Sequence, residues 1–414
     1  MFNVIAKQEY TPSSHVPTKL GVAMMIKNEK KRLLVTLKTL VGYADALIIY
    51  DTGSTDDTTK IVETFCKESR INLYMIQGEF VNFCESRNVL LAYANTIEVD
   101  FLLLLDCNDE LRGGKMLRQI ISSFHGQVNT GFLVCQQWWS GMAEKYFNIR
   151  LIKTRSGWEY RGVVHEWLKD TSSSNDDPKF TIIRLPDEIV IYQDRTQDDD
   201  KSGKRFHRDY DMLLAEYKKN PKDSRTVFYL SQTCSCINKI EEAYYYARRR
   251  LELGGFEEER FHSYMRCGNM ADVLGHEWCD VMGWYIKALE HSERIEPIIK
   301  IANHYRSLKK WQLAYMFMKQ GINMKYPEEL LLFVDKGSYD YVRWHLMGNI
   351  AYYVEDYVGG HVACIKAIRN GRNVEMDTKN LQFYLKKTEE LKNEKETQVK
   401  TQVEEKSIQI QKKK

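Results

Sequence analysis

The stretch FLLLLDCNDEL, Phe101 to Leu111, runs five apolar residues up to Asp106 and follows it with Asn108, Asp109 and Glu110. Side-chain oxygens packed this closely are the ligands that hard divalent cations take. A second apolar run, ALIIYD, also ends in an acid, Asp51, and opens into TGSTDDT. Arg87 and Asn88 lie together in FVNFCESRN, and His165 adjoins Glu166 in WEYRGVVHE. A carboxylate can accept from two donors at once. A guanidinium fork fits planar or phosphate partners better than lysine does. A neutral imidazole nitrogen can ligate a metal.

These groups need a frame that brings them together. GVAMMI (21–26), ALIIYD (46–51), INLYMIQ and VDFLLLLD read as buried strands, because each is a short apolar run bounded by polar residues. Helical spacing in KKRLLVTLKTLVGYA, in the segment after DTGSTDDT and in SRNVLLAYANTI places a helix after each of the first three strands. The Ser, Thr and Asp groups of DTGSTDDT cap the second helix. Residues 19–110 therefore predict an α/β, doubly wound, mainly parallel sheet. In such a sheet ligands bind outside the carboxyl ends of the strands, where Asp51 and Asp106 fall.

The texture then changes. GFLVCQQWW, FNIRLIKT, WEYRGVVHEWL and IIRLP are short β-like pieces, and TSSSNDDPK (171–179) reads as a loop. From about residue 205 the chain becomes helical, with small and aromatic residues recurring. Leu230, Ser231 and Ala243 set one register; Ala302, Tyr305, Ala314 and Gly321 a second; Trp344, Gly348, Gly360 and Ala367 a third. That matches a degenerate tetratricopeptide-like array of helix pairs, with a poor fit around 262–290. The expected organisation is an irregular arm over 1–18, the α/β domain over 19–200, the helical repeats over 205–384 and a charged, disordered or frayed tail over 385–414.

The bulk numbers bound the function. The chain has 414 residues and a formal net charge of +3. Nine Lys against six Glu between Leu385 and Lys414 account for all of it. The folded part is thus near neutral, which argues against a nucleic-acid partner. There is no apolar run long enough for a transmembrane segment and no signal-peptide pattern at the start. The nine cysteines are scattered, which reads as reduced thiols in a cytoplasmic protein. GxGxxG, the P-loop and the GxSxG elbow are all absent, and the first loop, IKNEKK, has no glycine cradle.

Six pieces remain in order: AMMIKNE (23–29), DTGSTDDT (51–58), FVNFCESRN (80–88), LDCNDEL (105–111), FNIRLI (147–152) and WEYRGVVHE (158–166). Together they resemble the glycosyltransferase family 2 catalytic domain of the GT-A fold. The narrower resemblance is to the branch with tetratricopeptide-like repeats after the transferase, which bacteriocin S-glycosyltransferases also resemble. It covers roughly residues 20–170.

The resemblance implies a nucleotide-sugar donor, a UDP-sugar first, and a divalent cation, Mn²⁺ or Mg²⁺. It places Asp51 at the uracil or ribose and Arg87 near the base and phosphates, with Lys27 facing the diphosphate. Asp106 and Asn108 hold the DxD positions, and His165 completes the metal shell. Asn108 departs from the family, which has Asp there; Asp109 stands beside it as another oxygen ligand. Glu166 is the implied general base for an inverting transfer. Successive strand residues point to opposite faces, so His165 and Glu166 share one site only if the backbone there is irregular. Trp138 and Trp139 are acceptor-side candidates, since sugar rings stack on indole. The acceptor would be a peptide, protein or glycan, reached through the repeats, in a chain that could form a homo-oligomer.

Each residue also has a plain structural reading: Asp51 as a helix cap, Arg87 as a surface arginine, the acidic cluster as a capped loop, Glu166 as a salt-bridged glutamate, both tryptophans as packing. A non-catalytic scaffold with a decayed transferase domain is the first rival function. A sugar-nucleotidyl transferase is the second, disfavoured by the glycine-free first loop.

Overall fold

The computed structural model describes residues 2–10, 18–124, 131–139, 143–171, 182–194, 196 and 201–411. Beyond Thr171, the loop expected at 171–179 lies outside them. Two compact units are present, Met1–Lys239 and Ile240–Lys414. The division falls after Lys239, so the first two long helices, expected with the repeats, count with the first unit.

The first unit is built on a mixed sheet. Its strands are β1 (Val4–Gln8), β2 (Leu20–Ile26), β3 (Ala46–Asp51), β4 (Asn72–Gln77), β5 (Phe101–Leu104), β6 (Glu110–Arg112), β7 (Gly131–Trp139) and β8 (Ala143–Lys153). A separate hairpin joins β9 (Trp158–Arg161) to β10 (Trp167–Asp170), and β11 (Ile182–Arg184) and β12 (Val190–Asp194) return to the main sheet. The order is β1-β4-β3-β2-β5-β8-β7-β12-β6, with β11 beside β7. Strands β2 to β5 are mutually parallel where they pair, as the sequence predicts. From β5 outward the sheet alternates: β8 is antiparallel to β5 and β7, and β12 is parallel to β7.

Strands β3 and β5 bury every residue. Apolar runs of this kind need cover on both faces. One face packs against α1 (Leu33–Lys38), α2 (Thr58–Ser69) and α4 (Gly114–Ser123) through Leu33, Leu37, Val62, Leu117 and Ile121. The other packs against α3 (Phe83–Ala94) and the β9–β10 hairpin through Leu90, Leu91, Trp158, Tyr160 and Leu168. Gly131, at the start of β7, is required there, because a Cβ would run into the Trp158 ring. Helices α5 (Lys201–Lys219) and α6 (Ser224–Cys236) complete the unit.

Two local expectations are corrected and one open choice is resolved. Residues 4–8 are not an irregular arm; they form β1, antiparallel to β4 at the sheet edge. The first helix is only six residues long, since turns follow Lys38 and lead to Gly42 at φ +79°. The final helix runs unbroken to Gln411, so of the two readings of the tail, charged helix or disorder, the helix is the one present.

The second unit is a succession of helices: α7 (Ile240–Glu252), α8 (Glu257–Val273), α9 (Trp278–His291), α10 (Ile295–Ser307), α11 (Trp311–Gly321), α12 (Arg343–Ile350), α13 (Tyr357–Arg369) and α14 (Val374–Gln411). Helices adjacent in sequence pack on one another. The small residues sit at the close approaches. A Cβ on Gly321 would lie 3.1 Å from Ile295 and from Ile298, and one on Gly348 would lie 2.8 Å from the Cys364 sulfur. Tyr305 and Trp344 pack against the core.

Two buried arginines tie this unit together. Arg250 and Glu259, 0% and 2% exposed, pair through Nε at 3.1 Å and Nη2 at 3.0 Å. The same guanidinium donates to the carbonyls of Gly254 and Phe256. Arg294 pairs with Glu296 and donates to the Phe333 carbonyl at 3.1 Å. His262 Nε2 lies 3.0 Å from the Leu332 carbonyl and 3.4 Å from Arg294 Nη1.

Candidate active site

The site lies where the chain switches direction along the sheet. From β2 it winds outward through β3 and β4, then crosses back to β5 on the other side. In doubly wound sheets ligands bind at such a switch point, outside the carboxyl ends of the strands. Two of them are clipped together: Thr52 N–H donates to the Ile26 carbonyl at 3.0 Å, Asn28 N–H to Ser54 Oγ at 3.0 Å, and Thr55 N–H to Asn28 Oδ1 at 2.8 Å. Lys27 is exposed on this clip.

Asp51 ends β3 fully buried. Its carboxylate accepts from Ser54 N–H at 3.1 and 3.2 Å and from Gln77 Nε2 at 3.0 Å. The carboxylate thus fixes the turn after β3. Asp56, ahead of helix α2, accepts from the Thr58 N–H and hydroxyl.

Every residue of the Ser86-Arg87-Asn88 element is committed. Asn82 caps α3 by accepting from Glu85 N–H at 2.9 Å. Ser86 Oγ accepts from Val81 N–H at 3.2 Å, and Asn88 bonds both backbone groups of Tyr160, at 2.7 and 2.9 Å. Arg87, one turn into the helix, points inward and is nearly buried.

Arg87 joins two acids from distant parts of the chain. Nη2 donates to Asp106 Oδ1 at 2.6 Å. Nε lies 2.7 Å from Glu166 Oε1, but its N–H is not aimed at that oxygen, so this contact is an ion pair without a hydrogen bond. The Tyr160 ring lies 5.5 Å from the guanidinium. Arg150, from β8, reaches the second oxygen of Asp106, Nη2 to Oδ2, at 3.4 Å. With the Gln136 amide oxygen turned toward it, Arg150 also donates to Gln136 at 3.0 and 3.2 Å. The result is a chain of alternating charge, Glu166–Arg87–Asp106–Arg150, spanning α3, β8 and two loops.

Electrostatics follow from this packing. Burial works to raise the Asp106 carboxyl, but Arg87 and Arg150 outweigh it and hold it well below the usual carboxylate range. Asp109 goes the other way: burial, and Asp106 beside it, push its carboxyl up. Asp109 is structural. Its Oδ2 accepts from Asp106 N–H at 2.8 Å and closes the loop after β5. Gln193, from β12, then bridges Asn108 Oδ1 at 2.6 Å and Asp109 Oδ1 at 3.3 Å.

Two of the three expected metal ligands suit a divalent cation. Asp106 and Asn108 present oxygens two residues apart on one loop, and the Asp106 side chain keeps 37% of its surface open. His165 does not join them. Its backbone is irregular, at φ +53°, yet the ring turns away and stacks on Tyr229 of α6, centroids 4.1 Å apart and 15° from parallel. Burial of the ring, then Arg225 and Arg205, lower its pKa, so it is neutral near pH 7. Among the described residues no group of three or more His, Cys, Asp or Glu gathers as a metal site.

Trp138 and Trp139 close β7. Trp138 lies edge-on to Tyr146, centroids 4.7 Å apart, and opposite Gln193 in the ladder to β12. Trp139 is 42% exposed. The register thus brings the β7 end beside the residue that holds Asn108. Sequence reasoning missed Arg150, Gln193 and Tyr229. A lone charge between Ile149 and Leu151 in FNIRLI was the available signal for Arg150; Gln193 and Tyr229 carry none.

The sheet and its switch point define a mixed α/β domain with paired acids and arginines at the carboxyl ends of its parallel strands. Residues 22–182 match the family model described as Glycosyl transferase family 2. A 52-residue segment is 44% identical to an uncharacterized protein of Methanocaldococcus jannaschii, covering 13% of this chain and 23% of that protein. The crystal structure of S. aureus TarS 1–349 is similar over 77% of this chain and 98% of its own, with 14% identity and a TM-score of 0.33. The C-terminal part of a TPR repeat-containing protein from Cytophaga hutchinsonii is similar over 44% of this chain and 66% of its own, with 10% identity and a TM-score of 0.35. Among the described residues no helix is long and apolar enough to cross a membrane.

Proposed function

We propose that this protein transfers a sugar from a nucleoside-diphosphate donor, UDP-linked, to an acceptor on a peptide, protein or glycan, with inversion at the anomeric carbon. The observation that carries this is the Glu166–Arg87–Asp106–Arg150 chain at the carboxyl ends of the parallel strands. Two guanidiniums set side by side are suited to the charge that builds on a leaving diphosphate. Asp51 and the clipped β2 and β3 loops form the wall for the nucleoside, with Lys27 at the rim.

Glu166 is the base. It takes the proton from the acceptor nucleophile, whose freed electron pair attacks the anomeric carbon as the bond to the diphosphate oxygen breaks. The nucleoside diphosphate leaves carrying the negative charge. Arg87 orients Glu166 and Asp106 together. A divalent cation, if bound, would sit on Asp106 and Asn108 and supply Lewis-acid stabilisation of that leaving group. Asp106 would then have to release one of its guanidinium partners.

A panel of UDP-, GDP- and dTDP-sugars, with and without Mn²⁺, tests this by thermal shift and donor hydrolysis. Stabilisation or turnover with one donor, lost in Asp106→Ala, is the expected result. A folded protein that responds to no donor would overturn the reading in favour of a scaffold.

A further inference from the structure

The second unit carries a concavity of about 310 Å³ between α12, α13 and the turn before α12. Tyr339, Asp340, Arg343, Trp344, Lys366, Arg369 and Asn370 line it. Three of these are cations and one is an acid. The acid is already engaged, since Asp340 pairs with Lys336 at 3.4 Å. None of the three cations forms an ion pair among the described residues. Arg343 donates from Nη1 to the Met324 carbonyl at 2.6 Å, and its Nε is buried with no hydrogen-bond partner.

Lys366 Nζ lies 3.8 Å from the Trp344 ring centre, and the Arg343 guanidinium lies 4.8 Å from it. The indole therefore holds two of the cations in place. Lys366 and Arg369 stand one turn apart on α13, and Arg343 faces them from α12, so the positive charge is spread along a groove. Asn370 is tied down by the carbonyls of Asp340 and Lys366.

We propose that this groove binds the carboxylates of an acidic peptide segment. The occupant follows from charge complementarity: three spaced cations without ion pairs among the described residues, against one acid that is already paired. The proposal concerns binding alone and does not depend on the transferase reading.

The test is fluorescence anisotropy of a labelled oligo-glutamate peptide with the full chain at low salt. Saturable binding that weakens as salt rises is expected, with no binding of an oligo-glutamine peptide. Arg369→Glu, on an exposed side chain with no ion-pair partner, should weaken it by about tenfold or more. Lys366→Glu should do the same; because Lys366 packs on Trp344, its fold is checked by circular dichroism. Unchanged affinity in Arg369→Glu overturns the proposal. So does full displacement of the peptide by inorganic phosphate at matched charge, which would make this a phosphate site.

Discussion

His165 and Glu166 are neighbours in sequence and serve different partners. The His165 ring stacks on Tyr229, and the Glu166 carboxylate pairs with Arg87. The left-handed backbone at His165 makes the divergence possible, since a regular strand would simply alternate the two. His165 thus anchors the segment to α6, and Glu166 is delivered to the site.

Glu166→Gln keeps the shape of that contact and removes the charge. If Glu166 is the base, kcat falls by about a hundredfold or more while donor affinity stays within a few fold. Steady-state kinetics alongside donor titration separate the two. A parallel loss of donor affinity would mark Glu166 as a positioning residue only.

Arg150→Met removes one of the two guanidiniums on Asp106 and leaves Gln136 without its partner. The expected effect is on donor binding, weakened by about tenfold, with a smaller change in kcat. Isothermal titration with nucleoside diphosphate reads this directly.

Asn108→Asp restores a charge at the second position of the acidic pair, and Gln193 can still donate to it. Divalent affinity should rise by about tenfold, seen as a leftward shift in the Mn²⁺ dependence of turnover. Chelation should abolish turnover in both forms. Turnover that ignores chelator and cation alike would show that the two guanidiniums suffice.

His262 gives the second unit an acid limit. Burial, then Arg294, lower its pKa from 6.5 to about 3. The unfolded chain therefore takes up a proton below about pH 6.5 that the folded chain refuses. Stability from this group is fully present above that pH and declines as pH falls toward about 3. His262→Gln should flatten this slope, by up to roughly 3 kcal/mol between neutral pH and about pH 4. Denaturant melts across that range measure it.

Arg250→Met leaves Glu259 charged, buried and alone, and should destabilise the second unit by about 3–5 kcal/mol. Adding Glu259→Leu removes the orphaned charge and should recover most of the loss. A double variant no better than the single would show that the carbonyl bonds to Gly254 and Phe256 dominate.

The βα alternation over 19–110 was legible because each central strand is an unbroken apolar run with an acid at its end. Strand β1 was not, because an exposed edge strand such as VIAKQ needs no buried pattern. The tail was left between a frayed charged helix and disorder, since a charged, apolar-poor segment carries no periodic stripe, while Val374 to Leu381 dock helix α14 through Asp377 and Leu381. At the site, Asp106, Arg87 and Glu166 were visible through their motifs, and the structure brings those three together. His165 was grouped with the metal ligands, while its ring stacks on Tyr229, more than sixty residues on. Gln193 shows the same limit, tying β12 to a loop that no local pattern connects with it.

The sharing of Arg87 bears on how this chain can change over generations. One guanidinium answers to two carboxylates on separate loops. Loss of either acid leaves a surplus positive charge that still holds the other, and loss of Arg87 sets two negative charges against each other. Single changes at these three positions should therefore be tolerated poorly, and viable variants should arise as compensated pairs. A library randomised at all three would reveal that dependence as strong epistasis between 87, 106 and 166.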